Sequence, residues 1–153
     1  MKKAKELSKN PTYLATARNW DTDFENRIKR HQSERSTDWY NIEKEKDLSE
    51  LALDGKVVVV DCITLWLTNL FVDAKQDVET CLGQFKQDLD SLIRKDCTFI
   101  FISNEIGMGL HAETASGRRF TDLQGWANQY VAKKAEEAIL MVSGLPLSLK
   151  KSS

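Results

Sequence analysis

The stretch VVVVDC, residues 57–62, decides the fold of this chain. Four β-branched apolar residues in succession are too hydrophobic for a strand with one face in water. They are typical of a strand in a parallel sheet that is covered on both faces. The run ends with Asp61, and in nucleotide-binding α/β proteins an acid at this position reaches a Mg²⁺ ion held by phosphates. Strand and acid alone fit equally well a core strand that ends in an ordinary exposed acid.

Length and composition narrow the class of protein. The chain has 153 residues, 41% of them hydrophobic, and a formal net charge of -1. We expect one domain over residues 1–153 that buries roughly two-thirds of its unfolded surface. The charge gives no indication of a partner nucleic acid or anionic membrane, and no apolar run reaches the roughly 20 residues of a membrane span. Three widely spaced cysteines, an odd number, predict reduced thiols in a cytoplasmic protein.

Strand-like and helix-like segments alternate along the chain. Besides the valine run, strands are predicted at residues 12–17, 98–103 and 139–143, with an edge strand at 147–150. Helices are predicted at residues 1–9, 23–33, 64–71, 77–94 and 120–137. The polar residues 36–50 predict a loop or short helix anchored by Trp39 and Tyr40. This alternation implies an α/β fold with a mostly parallel sheet.

His31 is the residue best suited to covalent chemistry. An imidazole can act as a base or as a nucleophile toward phosphorus. Arg27, His31 and Arg35 lie four residues apart and share one face if the predicted helix extends that far. The two arginines favour the neutral ring and could hold phosphate oxygens. The residues alone also fit a solvated basic helix face with an incidental histidine, and His111, in a predicted loop, is expected to be passive.

Two further groups of residues could line a cleft. The first follows the strand at 98–103, at the edge where open α/β sheets bind ligands, and comprises Asn104, Glu105, Gly107 and Gly109. The second falls near one face of the last predicted helix and comprises Arg118, Asp122, Gly125 and Asn128. A plain turn and a capped, solvated helix would explain the same residues.

In combination these blocks resemble the bifunctional adenosylcobinamide kinase / adenosylcobinamide-phosphate guanylyltransferase family of cobalamin biosynthesis. The matching blocks are YLATA at 13–17, RIKRH at 27–31, DCITLWLTNL at 61–70, SNEIGMG at 103–109 and VSGLPL at 142–147. Arg35, Trp39, Glu43 and several residues of 118–129 match as well. The blocks follow the family's order over nearly the whole chain, so jointly they are far more specific than any one of them.

The resemblance implies two reactions. A nucleoside triphosphate phosphorylates the aminopropanol hydroxyl of adenosylcobinamide, and GTP then donates GMP and releases pyrophosphate. The family's GMP-carrying histidine matches His31. Its guanosine site matches Thr16, Ala17, Arg18, Arg35, Glu43 and Asp61. The neutral His31 would attack the α-phosphorus of GTP while Mg²⁺, held through water by Asp61, and arginines, with Arg27 a candidate, offset charge on the pyrophosphate.

The same resemblance implies a sheet of the P-loop nucleotide-kinase type with helices on both faces, ATP and GTP as substrates, and a cytoplasmic homotrimer. Asn104, Glu105 and Arg118 remain further candidates for the cleft. One departure matters, because the family's glycine-rich loop, Gly-Gly-x-Arg-Ser-Gly-Lys-Ser, has no counterpart before Gly55, the first glycine. We therefore expect a copy without the first strand and the phosphate loop.

Losing that loop should impair triphosphate binding. Charge-assisted hydrogen bonds contribute about 1.5–3 kcal/mol each, so losing three removes roughly 5–9 kcal/mol. Micromolar affinity totals only about 8 kcal/mol. We expect the kinase step to suffer most, and unpaired strand edges to destabilise the chain. The alternatives are a non-catalytic remnant, a corrinoid-binding or oligomer-forming subunit, and a different phosphotransferase on the same sheet.

Overall fold

The computed structural model describes residues 1–18 and 38–151 of the chain. The chain forms two compact units, Met1–Asn104 and Glu105–Ser153. The single domain over residues 1–153 stays a prediction. The predicted helix at 23–33 lies outside the described residues.

The first unit is built on a sheet of four parallel strands in the order β2-β1-β3-β4. The strands are β1 (Thr12–Ala15), β2 (Tyr40–Glu43), β3 (Val57–Asp61) and β4 (Thr98–Ile102). Its helices are α1 (Lys2–Leu7), α2 (Ile63–Asp73) and α3 (Val78–Leu92), with a 3₁₀ turn at Leu48–Glu50. A parallel sheet flanked by helices confirms the predicted α/β fold class, and it is consistent with the fold of P-loop nucleotide-binding proteins.

The valine run forms the buried centre of this sheet, as predicted. Val58, Val59 and Val60 are fully buried, although successive side chains of a strand point to opposite faces. On one face Val59 packs in a cluster with Ala4 of α1 and with Tyr13. Burying one such side chain contributes about 1.5–3 kcal/mol, so both faces stabilise the strand.

Helix α3 confirms the prediction made from its apolar period. Asp77 caps its first turn by accepting a hydrogen bond from the backbone N–H of Thr80 at 2.7 Å. The side chains spaced one helical turn apart are buried, namely Cys81, Phe85, Leu89 and Leu92. The ring of Phe85 meets that of Trp66 on α2 edge to face, with centroids 4.8 Å apart. This contact joins the two helices.

The prediction for residues 36–50 was wrong in one respect, because these residues contain strand β2. Among the strands of the described residues, β2 pairs with β1 alone and lies at the edge of the sheet, so its sequence, YNIE, lacks the apolar run of a central strand. The predicted anchor Trp39 is buried, whereas Tyr40, the other predicted anchor, is 63% exposed.

The second unit contains a 3₁₀ turn at Ile106–Met108, helix α4 (Ala115–Lys134) and a hairpin of β5 (Ala138–Val142) and β6 (Leu145–Lys150). Helix α4 begins five residues before the predicted position because Thr114 caps it, accepting from the N–H of Gly117 at 3.0 Å. No helix in the described part of the chain is long and apolar enough to cross a membrane.

The strand predicted at 139–143 is confirmed as β5, but the prediction that it is buried was wrong. Strand β5 pairs with β6 in a two-stranded sheet, and Ile139 and Met141 are 47% and 59% exposed. The reason lies in the turn that follows it. Ser143 and Gly144 both adopt positive φ, at 52° and 78°, which is the conformation of a two-residue hairpin turn. The chain therefore reverses onto its own next residues, and the apolar run pairs locally.

Candidate functional site

The carboxyl edge of the sheet brings predicted site residues together. In the strand register, Ala15 of β1 lies between Glu43 of β2 and Asp61 of β3. Neighbouring strands are about 4.8 Å apart, so the backbones of Glu43 and Asp61 are about 10 Å apart. Residues in register on parallel strands point to the same face. Residues 16–18 continue from the end of β1, at the edge where ligands bind in open α/β sheets.

Asp61 is half-buried at this edge, and its orientation is fixed by Tyr13. The Tyr13 hydroxyl donates a hydrogen bond to Oδ2 of the Asp61 carboxylate. Tyr13 is itself buried on the same face and packs edge to face against Trp39, with centroids 6.3 Å apart. Its role was missed from the sequence, in which a tyrosine on a strand reads as an ordinary core residue.

Thr16 ties the loop after β1 to the start of helix α2. Its hydroxyl donates to the carbonyl oxygen of Cys62 at 2.7 Å and accepts from the backbone N–H of Cys62 at 2.9 Å. Its own backbone N–H donates to the carbonyl oxygen of Asp61 at 3.0 Å. Thr16 is fully buried, so its hydroxyl serves the protein. These hydrogen bonds hold the loop after β1 next to Asp61, beyond the last residue of the strand.

Asn69 supports the same loop from helix α2. Its side-chain Nδ2 donates to the carbonyl oxygen of Thr16 at 2.7 Å and to that of Glu45 at 3.0 Å. Asn69 is fully buried. The sequence carried a signal that we missed, since an amide inside the apolar segment 64–71 needs hydrogen-bond partners.

Arg18 is held by two carboxylates. Its Nε donates to Glu45 at 2.6 Å, and its two terminal nitrogens donate to the two oxygens of Asp73 at 2.9 and 3.1 Å. Lys46 binds the same Asp73 at 2.6 Å. The hydrogen bonds to Asp73 and Glu45 raise the pKa of Arg18, and those from Arg18 and Lys46 lower the pKa of Asp73. A phosphate would have to compete with these carboxylates for the guanidinium.

The structure does not test the prediction of the catalytic residues. Arg27, His31 and Arg35 all lie outside the described residues, so their predicted roles stay predictions. Glu43 is exposed at the edge of the sheet, where a nucleotide could reach it.

The other cleft candidates make local contacts. In the first unit, the backbone N–H and side-chain Nδ2 of Asn104 donate to the hydroxyl oxygen of Thr64 at 3.2 and 3.1 Å. In the second unit, Glu105 accepts from the side-chain amide of Asn128 at 3.2 Å. Arg118, in the same unit, donates to the carbonyl oxygens of residues 112 and 113 at 3.1 and 2.7 Å, which holds the loop before α4.

A magnesium ion at Asp61 would need ligands from the substrate. Within residues 1–18 and 38–151, no group of three or more His, Cys, Asp or Glu residues could hold a metal ion. Mg²⁺ at nucleotide sites commonly takes one or two carboxylates and completes its octahedron with phosphate oxygens and water. The single carboxylate of Asp61 fits that arrangement, in which the metal arrives with the nucleotide.

Comparison with known proteins identifies the family of the chain. The family model described as CobU, cobinamide kinase / cobinamide phosphate guanyltransferase, matches residues 1–149. The bifunctional adenosylcobalamin biosynthesis protein CobP of Pseudomonas aeruginosa is 34% identical over 143 residues, covering 91% of this chain and 82% of its own. The CobU proteins of Escherichia coli K12 and Salmonella typhimurium are each 30% identical, covering 90% of this chain and 84% of their own. This chain therefore belongs to the cobinamide kinase / cobinamide phosphate guanyltransferase family.

Proposed function

We propose that this chain phosphorylates adenosylcobinamide and then transfers GMP from GTP to adenosylcobinamide phosphate. The observation that carries the proposal is the register that sets Glu43 and Asp61 on either side of Ala15 at the carboxyl edge of the sheet. Two acids and a fixed loop at this edge offer groups for a ribose or base and for a phosphate-bound cation. The names of the family and of its relatives supply the substrates.

The GMP transfer proceeds in two displacements. The neutral imidazole of His31 attacks the α-phosphorus of GTP, a nitrogen–phosphorus bond forms, and the bond to the β-phosphate oxygen breaks to release pyrophosphate. A phosphate oxygen of adenosylcobinamide phosphate then attacks the same phosphorus, and the nitrogen–phosphorus bond breaks. Arg27 and Arg35 lie four residues before and four residues after His31, and they offset the charge that develops on the phosphates.

The described residues serve binding in this scheme. Ala17, Arg18 and Glu43 contact the guanosine, while the fully buried Thr16 fixes the position of residues 17 and 18. Asp61 would hold Mg²⁺ through water, with Tyr13 fixing the direction of the carboxylate. When bound, Mg²⁺ supplies positive charge next to the pyrophosphate as it leaves. The protein acts in the cytoplasm as a homotrimer, uses ATP or GTP for the kinase step, and binds neither nucleic acid nor membrane.

The experiment uses the fact that the chain contains only two histidines, His31 and His111. The protein is incubated with α-labelled GTP and Mg²⁺, denatured, and tested for label that acid removes and alkali leaves, as a phosphoramidate requires. We expect label on the wild type and on His111→Ala, whose histidine is exposed in a loop, and none on His31→Ala.

Two outcomes would contradict the proposal. Wild-type protein that takes up no label, or His31→Ala protein that takes up as much as wild type, excludes His31 as the GMP carrier. Binding of adenosylcobinamide without any turnover of GTP would instead identify a corrinoid-binding subunit without catalysis. The second step is followed by adding adenosylcobinamide phosphate to labelled protein, which should release the label into the corrinoid.

A further inference from the structure

We propose that Asn69 is a positioning residue, which fixes residues 16–18 for the guanine nucleotide without touching it; the inference rests on the proposed function. A primary amide carries two N–H groups at a fixed angle. In Asn69 one is directed at the carbonyl oxygen of Thr16 and the other at that of Glu45. The first carbonyl belongs to the loop after β1 and the second to the loop after β2. One side chain on α2 thus sets the spacing of both loops.

The two loops are joined a second time at the surface. Arg18 of the first loop donates from Nε to the carboxylate of Glu45 in the second loop at 2.6 Å. The two loops are therefore linked both through Asn69 and directly to each other. The hydroxyl of Thr16 fixes the same loop to Cys62, next to Asp61. A loop that is ordered before the ligand arrives loses less conformational freedom on binding, so the support beneath residues 16–18 should strengthen the affinity for a ligand that residues 17 and 18 contact.

The chemistry of the position indicates that the amide is needed there. Asn69 lies among buried apolar residues of α2, and within residues 1–18 and 38–151 no donor reaches its Oδ1. Burying an unsatisfied polar atom is unfavourable, so asparagine is a poor choice for stability alone. The amide donates two hydrogen bonds, which an apolar side chain of similar size cannot do. We infer that Asn69 serves the geometry of the two loops.

The test compares Asn69→Leu with two control variants. Thr68→Val also removes a hydrogen-bond donor from helix α2, but its hydroxyl donates to the carbonyl oxygen of Thr64 within that helix and not to a loop. Phe85→Leu lowers the stability of the core of α3 and so controls for destabilisation alone. Asn69→Leu replaces the amide with an apolar, helix-forming side chain of similar size and removes both donors. If it does not fold, Asn69→Ala carries the same expectation, because it removes the donors without adding volume.

Two quantities are measured on each variant. The first is the dissociation constant for GTP, by calorimetry, together with KM and kcat for GMP transfer to adenosylcobinamide phosphate. The second is amide hydrogen exchange of residues 12–18 in nucleotide-free protein. For the Asn69 variant we expect a dissociation constant and KM raised about tenfold, kcat at saturating GTP changed by less than about threefold, and faster exchange at residues 12–18. Both controls should stay within about twofold of wild type in GTP affinity.

The inference is overturned if GTP affinity in the Asn69 variant stays within about twofold of wild type, or falls only as far as in Phe85→Leu at equal loss of thermal stability. Unchanged exchange at residues 12–18 would overturn it as well. If wild-type protein binds no GTP, the proposed function fails. The exchange rates would still decide whether Asn69 holds the loop after β1.

Discussion

Replacing Thr16 with valine should destabilise the protein strongly, although valine has nearly the same shape. The Thr16 hydroxyl satisfies both the N–H and the carbonyl oxygen of Cys62, and Thr16 is fully buried. Valine leaves the buried N–H of Cys62 without this partner, which costs about 1–3 kcal/mol. The Cys62 carbonyl keeps its hydrogen bond from the N–H of Trp66 and loses only about 1 kcal/mol, so Thr16→Val should lose about 2–4 kcal/mol. Thr16→Ser keeps the hydroxyl and removes one methyl group, which should cost only about 1 kcal/mol.

Urea unfolding, followed by the fluorescence of the four tryptophans, measures these differences. In a protein of this size 1 kcal/mol corresponds to about 2–4 °C in melting temperature, so Thr16→Val should melt about 4–16 °C below wild type. The serine variant serves as the matched control for loss of side-chain atoms. If valine destabilises the protein no more than serine does, the hydroxyl does not bridge the backbone of Cys62 and the account of the loop fails.

The remaining predictions concern pH and thiol chemistry. Hydrogen bonds from Arg18 lower the pKa of Asp73 below its ordinary 3.8, so its stabilising effect is present above about pH 4 and is lost as the pH falls further. Asp73→Asn should therefore cost about 1 kcal/mol at pH 7, because the pair is partly exposed, and the difference from wild type should shrink in unfolding curves below pH 4; an unchanged difference would contradict this. Burial raises the pKa of the Cys81 thiol to about 12, whereas Cys97 is only partly buried. Iodoacetamide at pH 8 should modify Cys97 first, and mass spectrometry showing equal rates at Cys81 would refute that order.

The elements that could be predicted from the sequence are those whose signal is local. Four successive valines predict a strand that is buried on both faces, and Val58, Val59 and Val60 are completely buried in the structure. Helix α3 repeats its apolar residues every turn from Cys81 to Leu92 and carries its own cap. In both cases the residues that decide the structure lie within a few positions of one another.

The elements that were missed depend on distant partners. Strand β2 has a mixed sequence and becomes a strand because β1 offers it an edge. The apolar run of β5 indicates a strand but does not say which sheet receives it, and the turn at Ser143 directs it to β6. The supports of the candidate site, Tyr13 and Asn69, act through contacts with residues 48 and 53 positions away in the chain. Spacing within a motif does not reveal such contacts.

The parallel order of the sheet has a consequence for synthesis on the ribosome. Strand β1 emerges before β3, so Thr16, just beyond the end of β1, meets its partner Cys62 only after 46 further positions are made. At translation speeds of about 5–20 residues per second, the apolar side chains of Tyr13 and Leu14 wait about 2–10 s for the strand that covers their flank. During that interval the edge of β1 that later pairs with β3 is exposed, together with its apolar side chains. Chaperones that bind short apolar segments thus have a defined time and place to act on this protein.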